Sequence, residues 1–187
     1  MSVLFVNACA REGSRTERLA RAWIEREGVE VTDEIDLMGR DIVPFTKANI
    51  GIYGRGVSTG DYSDPIFDYA KQFAQATDII MAGPLWNMAL PARLHDYLEL
   101  VCAQGVTFDV DGTGRYKSLI AAQSLTFVST CGGPWPEAAD DHVFGYIQTL
   151  SDYFWHIPQL RFIRADGIDI VGADVEDVLN RALELSR

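Results

Sequence analysis

Ser14, Arg15 and Thr16 stand together where an apolar, β-rich run (SVLFVNA, 2–8) gives way to a segment patterned as a helix (ERLARAWIERE, 17–27). Hydroxyls, a guanidinium and the unpaired N–H groups of a helix start could converge there on one phosphate, because a helix N-terminus carries free donors and a positive end. The same Ser14 could serve only as the helix cap, with Glu17 near the capping-box position. The loop is neither G-x-x-x-x-G-K-[ST] nor G-x-G-x-x-G. That argues against a nucleoside triphosphate clamp or a tightly gripped dinucleotide and leaves a mononucleotide phosphate. Two other loops collect residues suited to a ligand: PLWNMALP (84–91) and TCGGPW (130–135).

The elements that must position these loops can be read from periodicity. Residues 2–8 read as a first strand and not as a signal peptide, since no basic segment precedes a short apolar start. Residues 29–37 alternate as a second strand, and the glycine-rich stretch 39–63 reads as irregular and as lid or interface, with Phe45, Tyr53 and Tyr62 in it. Asp64 and Pro65 open a helix; TDIIMAG (77–83) reads as a strand buried on both faces at the sheet centre. Pro91 opens a further helix, GVTFDVDGTGR is a loop or hairpin, and residues 118–130 form a long strand. A helix over 137–155, a fifth strand in QLRFIRADGI and a final amphipathic helix in DVEDVLNRALELS complete the pattern. Strands separated by helix-length segments imply right-handed crossovers and a parallel sheet covered on both faces, so the expected fold is a single α/β domain over 1–187, a three-layer sandwich with a five-stranded parallel sheet in order 2-1-3-4-5. In this order ligands bind at the carboxyl ends of the strands, where the winding reverses between strands 1 and 3.

Segment 84–91, continued by ARLHDYLELV, resembles the P-[ML]-[WY]-N-[FM]-x-[IVL]-P signature of FMN-dependent NAD(P)H oxidoreductases, the azoreductase and quinone reductase branch of the flavodoxin-like superfamily. GVTF (105–108) is similar to that family's G-x-T-F element, TCGG (130–133) to its S-x-G-G turn and FIRADGI (162–168) to its last strand, all in family order. The resemblance implies bound FMN with NAD(P)H as co-substrate. It implies that Pro84, Leu85, Trp86, Asn87 and Met88 line the flavin ring, with the Asn87 and Met88 backbone near N5, and that Thr130, Cys131, Gly132 and Gly133 lie along its pyrimidine side. Ser14, Arg15 and Thr16 would then hold the phosphate. Taken alone, Trp86 has a core aromatic as its alternative reading. The physical need matches these residue types, since a flavin requires an apolar wall and N–H groups facing the charge that develops on the reduced ring. The chain departs from the family pattern at Ala8, where many members have Ser, at Cys131, where many have Arg, and at Pro134, where an aromatic is common.

The implied reaction is a two-step exchange: NAD(P)H reduces the flavin and leaves, and a quinone, azo compound or similar small oxidant takes its place. No side-chain acid is required, and none of His95, His142 and His156 is assigned a catalytic role. Arg93 and Lys117 read as solvated charges, and Asp140, Asp141, Glu176 and Asp177 as helix-start acids complementing the dipole. A homodimer is implied by the resemblance. A flavodoxin-type electron carrier without a nicotinamide site is the alternative, suited by the acidic charge but lacking T-x-T-G-x-T in the first loop. A second alternative uses Cys9 and Arg15, whose C-x5-R-[ST] spacing is similar to that of low-molecular-weight phosphatases; Glu12 within the cradle and the mid-chain position of the only Asp-Pro (Asp64-Pro65) weigh against it.

Sixteen Lys and Arg against 27 Asp and Glu give a net charge of −11, which disfavours nucleic acid and anionic lipid as partners. No apolar run approaches the roughly 18 residues of a membrane span. Three scattered cysteines without C-x-x-C spacing suggest neither zinc nor a redox dithiol, and with no leader they point to the cytoplasm.

Overall fold

The computed structural model describes residues 2–39, 42–137 and 139–186, with Asp141 described by its backbone alone. In chain order the elements are β1 (Val3–Asn7), α1 (Arg15–Arg26), β2 (Asp33–Asp36), α2 (Ile50–Thr59), α3 (Asp68–Gln75), β3 (Asp78–Ala82), α4 (Ala92–Val101), β4 (Phe108–Val110), β5 (Tyr116–Ser118), β6 (Ser124–Thr130), α5 (Ala139–His142), α6 (Phe144–Leu150), β7 (Gln159–Ala165) and α7 (Val175–Leu185). A parallel sheet runs β2-β1-β3-β6-β7, and β4 and β5 form a separate antiparallel hairpin. This is the expected flavodoxin-like order, with β3 at the centre.

Alternation along each strand sorts the side chains into two cores. Leu4, Val6, Ile79, Met81 and Phe127 pack on one face against Leu94 and Leu98 of α4 and Ile147 of α6. Val3, Phe5, Ile80 and Val128 pack on the other against Leu19 and Trp23 of α1 and Leu179 of α7. Every residue of β1 is buried, as an interior strand of a doubly covered sheet requires.

Four local expectations are corrected. The 39–63 stretch contains α2, whose Gly56 approaches Phe67 so closely that a Cβ would lie 2.5 Å from the ring. Phe45, Tyr53, Tyr62 and Phe67 form a continuous aromatic cluster with centroids 5.0 to 5.6 Å apart, in which the two tyrosines are half-buried. The stretch 118–130 is divided between β5 and β6. The helix expected over 137–155 breaks at Val143, which leaves helical dihedrals (φ −118°, ψ −87°) with its β-branched side chain fully buried, and ends in a π-turn over Ser151–Trp155 capped by left-handed His156. Arg93 is not a merely solvated charge, because its Nη1 donates to the Ile42 carbonyl at 2.9 Å.

Candidate functional site

The loop after β1 is shaped by its own backbone. Asn7 Oδ1 accepts from the Cys9 N–H at 3.0 Å, the Ser14 N–H donates to the Arg11 carbonyl at 3.1 Å, and Gly13 takes φ +68°. Ser14 is the N-cap of α1, but its hydroxyl accepts from the Glu17 N–H only at 3.5 Å, a loose cap. Among the described residues the Arg15 and Thr16 N–H groups have no hydrogen-bond acceptor, so the helix start keeps free donors at its positive end.

The loop after β3 is a tight hairpin. The Trp86 N–H and Ala89 carbonyl, and the Ala89 N–H and Trp86 carbonyl, are each 3.0 Å apart, enclosing Asn87 and Met88. Both enclosed residues are left-handed, at φ 50° and 63°. A two-residue hairpin of this kind demands positive φ twice and favours Asn followed by Gly, so methionine at the second place carries strain of about 1 kcal/mol or more. Neither central N–H has an acceptor among the described residues. Met88 is 56% exposed and Trp86 38%, so the core-aromatic reading of Trp86 is excluded.

The loop after β6 is tied to both neighbours. The Leu85 N–H donates to the Thr130 carbonyl at 2.9 Å, and the Cys131 N–H to the Ala165 carbonyl at 2.9 Å, which extends the sheet ladder beyond the strand ends. The loop after β7 then folds back: the Gly167 N–H donates to the Gly133 carbonyl at 2.7 Å and the Asp169 N–H to the Gly132 carbonyl at 2.8 Å. A Cβ at Gly132 would meet the Asp169 carboxylate, which would have to move aside.

These loops enclose a cavity of about 410 Å³ at the carboxyl ends of β1, β3 and β6. Ser14, Arg15 and Thr16 form one wall, and Pro84, Leu85 and Trp86 the facing one. Thr130 and Gly132 complete it from the third loop. The other four expected residues lie elsewhere in the same loops. Asn87 lines an adjoining groove of about 480 Å³ with Met38, Leu90, Arg93 and His95, while Met88, Cys131 and Gly133 are outside both walls. Ile168 and Asp169 line the cavity and were missed by sequence reasoning. Ile168 closes FIRADGI, read there as a strand although the strand stops at Ala165, and Asp169 lies just beyond it.

Asp169 is ion-paired with Nη1 of Arg15. Of the helix-start acids, Asp140 accepts from Trp135 Nε1 at 2.7 Å and from Arg164 at 3.0 Å, while Glu176 pairs with Arg18 at the start of α7. The reading of Asp141 falls on a side chain outside the described residues. Cys9 is the opposite of an activated nucleophile: burial pushes its thiol up to about 11, it is 7% exposed, and Sγ faces the Ala82 carbonyl at 3.9 Å. The cysteine-phosphatase alternative fails on that ground.

The family described as having a flavodoxin-like fold matches residues 1–186 of the chain. The chain belongs to that family. An FMN-dependent NADH:quinone oxidoreductase 2 of Clostridium acetobutylicum is 30% identical, over 99% of this chain and 96% of its own. An FMN-dependent NADH:quinone oxidoreductase of Coprothermobacter proteolyticus is 29% identical, over 97% and 94%. Among solved structures, the azoreductase AzrA superposes with a TM-score of 0.81 at 21% identity, covering 100% of this chain and 97% of that one. An FMN-dependent NADH-azoreductase of Bacillus anthracis, solved with FMN, gives 0.79 at 17% identity, covering 100% and 96%. At those identities the structural likeness speaks for the flavodoxin-like fold alone.

Proposed function

We propose that this chain is an FMN-dependent oxidoreductase that passes reducing equivalents from NADH or NADPH to a small oxidant of the quinone or azo class. The carrying observation is the cavity itself, which the loop after β1 lines with N–H donors that have no acceptor among the described residues and with the Ser14 hydroxyl, and the loop after β3 with an apolar proline, leucine and tryptophan wall. Its size suits a mononucleotide-sized ligand. The residues present fit FMN: Ser14, Arg15 and Thr16 would hold the phosphate, Pro84, Leu85 and Trp86 would wall the ring, and the strained turn keeps two N–H groups available for its developing charge. When bound, FMN supplies the chemistry of hydride acceptance and electron donation. The protein's own part is to stack, orient and stabilise charge, for which no titrating side chain is needed. The names of the relatives, FMN-dependent NADH:quinone oxidoreductases, support the same reading.

The groove beside Trp86 and the exposure of Met88 are suited to cover by a second copy of the chain, and a homodimer belongs to the proposal. One domain over 1–187 and action in the reducing cytoplasm complete it, the latter fitting three free cysteines. Among the described residues no helix is long and apolar enough to cross a membrane.

The test is anaerobic rapid mixing of the FMN-loaded protein with NADH and with NADPH, followed by a quinone. Bleaching of the flavin by a nucleotide and recovery on adding quinone is expected. The charge of −11 favours a second reading, an electron carrier docking to basic partners. Bound flavin that neither nucleotide bleaches would select it.

A further inference from the structure

Arg15, one of the two arginines that line the cavity, is not free: its Nη1 is ion-paired with Asp169, and both residues line the wall. Asp169 is held there by construction. Its N–H is bonded to the Gly132 carbonyl, Gly167 turns the chain with φ +73° two residues earlier, and the absence of a side chain at Gly132 makes the space its carboxylate fills. The pair is substantially exposed, 38% and 62%, so it contributes little to the stability of the fold. Its effect falls on ligands. The charged residues lining the cavity are Arg11 and Arg15 against Glu12 and Asp169, a balance of zero against which a dianionic phosphate would bind.

We propose that Asp169 is a specificity-determining residue that neutralises Arg15 and so reduces the advantage of a phosphate-bearing flavin over an unphosphorylated one. This rests on the flavin reading above and deepens it. A phosphate entering beside Ser14 and Thr16 must share Arg15 with a carboxylate and lie near that carboxylate's charge, whereas a ligand ending in a hydroxyl meets neither penalty. The site thereby accepts riboflavin-like ligands more readily than its helix N-terminus and arginine alone would allow.

Asp169→Asn tests this, because asparagine keeps the shape over Gly132 and an oxygen that accepts from Arg15 while removing the charge. FMN and riboflavin are titrated separately into the wild type, Asp169→Asn and Glu176→Gln, following flavin fluorescence. Glu176 pairs with Arg18 at similar exposure away from the cavity, so its variant controls for the loss of one negative charge in general. The FMN-to-riboflavin affinity ratio is expected to rise several-fold, up to about tenfold at low salt, in Asp169→Asn alone, with the gain shrinking as salt is added. Riboflavin affinity itself stays near wild type, which also reports an intact fold. A ratio that is unchanged, lowered, or raised equally by Glu176→Gln overturns the role of Asp169 and leaves the flavin reading standing. Failure of both flavins to bind the wild type overturns both.

Discussion

The hydroxyls of Thr16 and Thr130 lie 2.6 Å apart in the interior, joining the first turn of α1 to the last residue of β6. Both residues are almost fully buried, so each hydroxyl depends on the other to replace water. Through this contact the loop after β1 and the loop after β6 are fixed to one another.

Replacing either threonine by valine therefore strands a buried hydroxyl and should cost about 1–3 kcal/mol in urea unfolding of the flavin-free protein. The double variant removes both groups and should cost less than the two singles added together. Strict additivity would mean that the hydroxyls do not depend on each other.

Met88 gives a prediction of opposite sign. Glycine at this left-handed position relieves the strain, and Met88→Gly should leave FMN binding intact while raising stability by up to about 1 kcal/mol. Met88→Pro removes the N–H and fixes φ on the wrong side, so FMN binding should be lost. Equal FMN affinities of the two variants would show that the turn's backbone plays no part in the site.

Gly56→Ala should destabilise the protein by about 1–3 kcal/mol and lower the thermal midpoint, because the new methyl meets the Phe67 ring at 2.5 Å and the Asp61 carbonyl at 2.9 Å. Gly54→Ala, two residues earlier with open space around it, is the control and should be neutral or slightly stabilising. Calorimetry of the two variants separates close approach from helix propensity.

Stability should also fall at alkaline pH. Burial raises the Cys9 thiol from 9.0 to about 11 and raises Cys102 in the same direction. Below pH 9 the thiols are neutral whether the chain is folded or not, and this contribution is fully present. Between about pH 9 and 11 the unfolded chain releases the Cys9 proton while the folded chain retains it, so about 2–3 kcal/mol should be lost across that window. Urea unfolding measured across this range should be flatter with pH in Cys9→Ala than in the wild type.

The sheet order and the three loops that line the cavity were legible because strands such as TDIIMAG are short apolar runs bounded by turns, and helix-length segments between them leave few topologies. Helix α2 was not legible. Its glycines Gly51, Gly54 and Gly56 read as breakers, yet tertiary packing of Tyr53 and Gly56 on Phe67 overrides their low propensity. The break at Val143 was hidden because apolar periodicity runs across it. Of the residues that line the cavity, Ser14 and Thr16 stand out by type and position at a helix start, and Trp86 through the family resemblance. Asp169 was not, because its partners Arg15 and Gly132 are distant in sequence and nothing local marks the fold-back after β7.

Equilibrium titration of FMN into the purified, flavin-free chain is the most direct test of the central claim. The account predicts saturable binding of one FMN per chain, with an altered flavin fluorescence, and its loss in Met88→Pro. A chain that leaves FMN fluorescence unchanged at every concentration reached, while remaining folded, would contradict it.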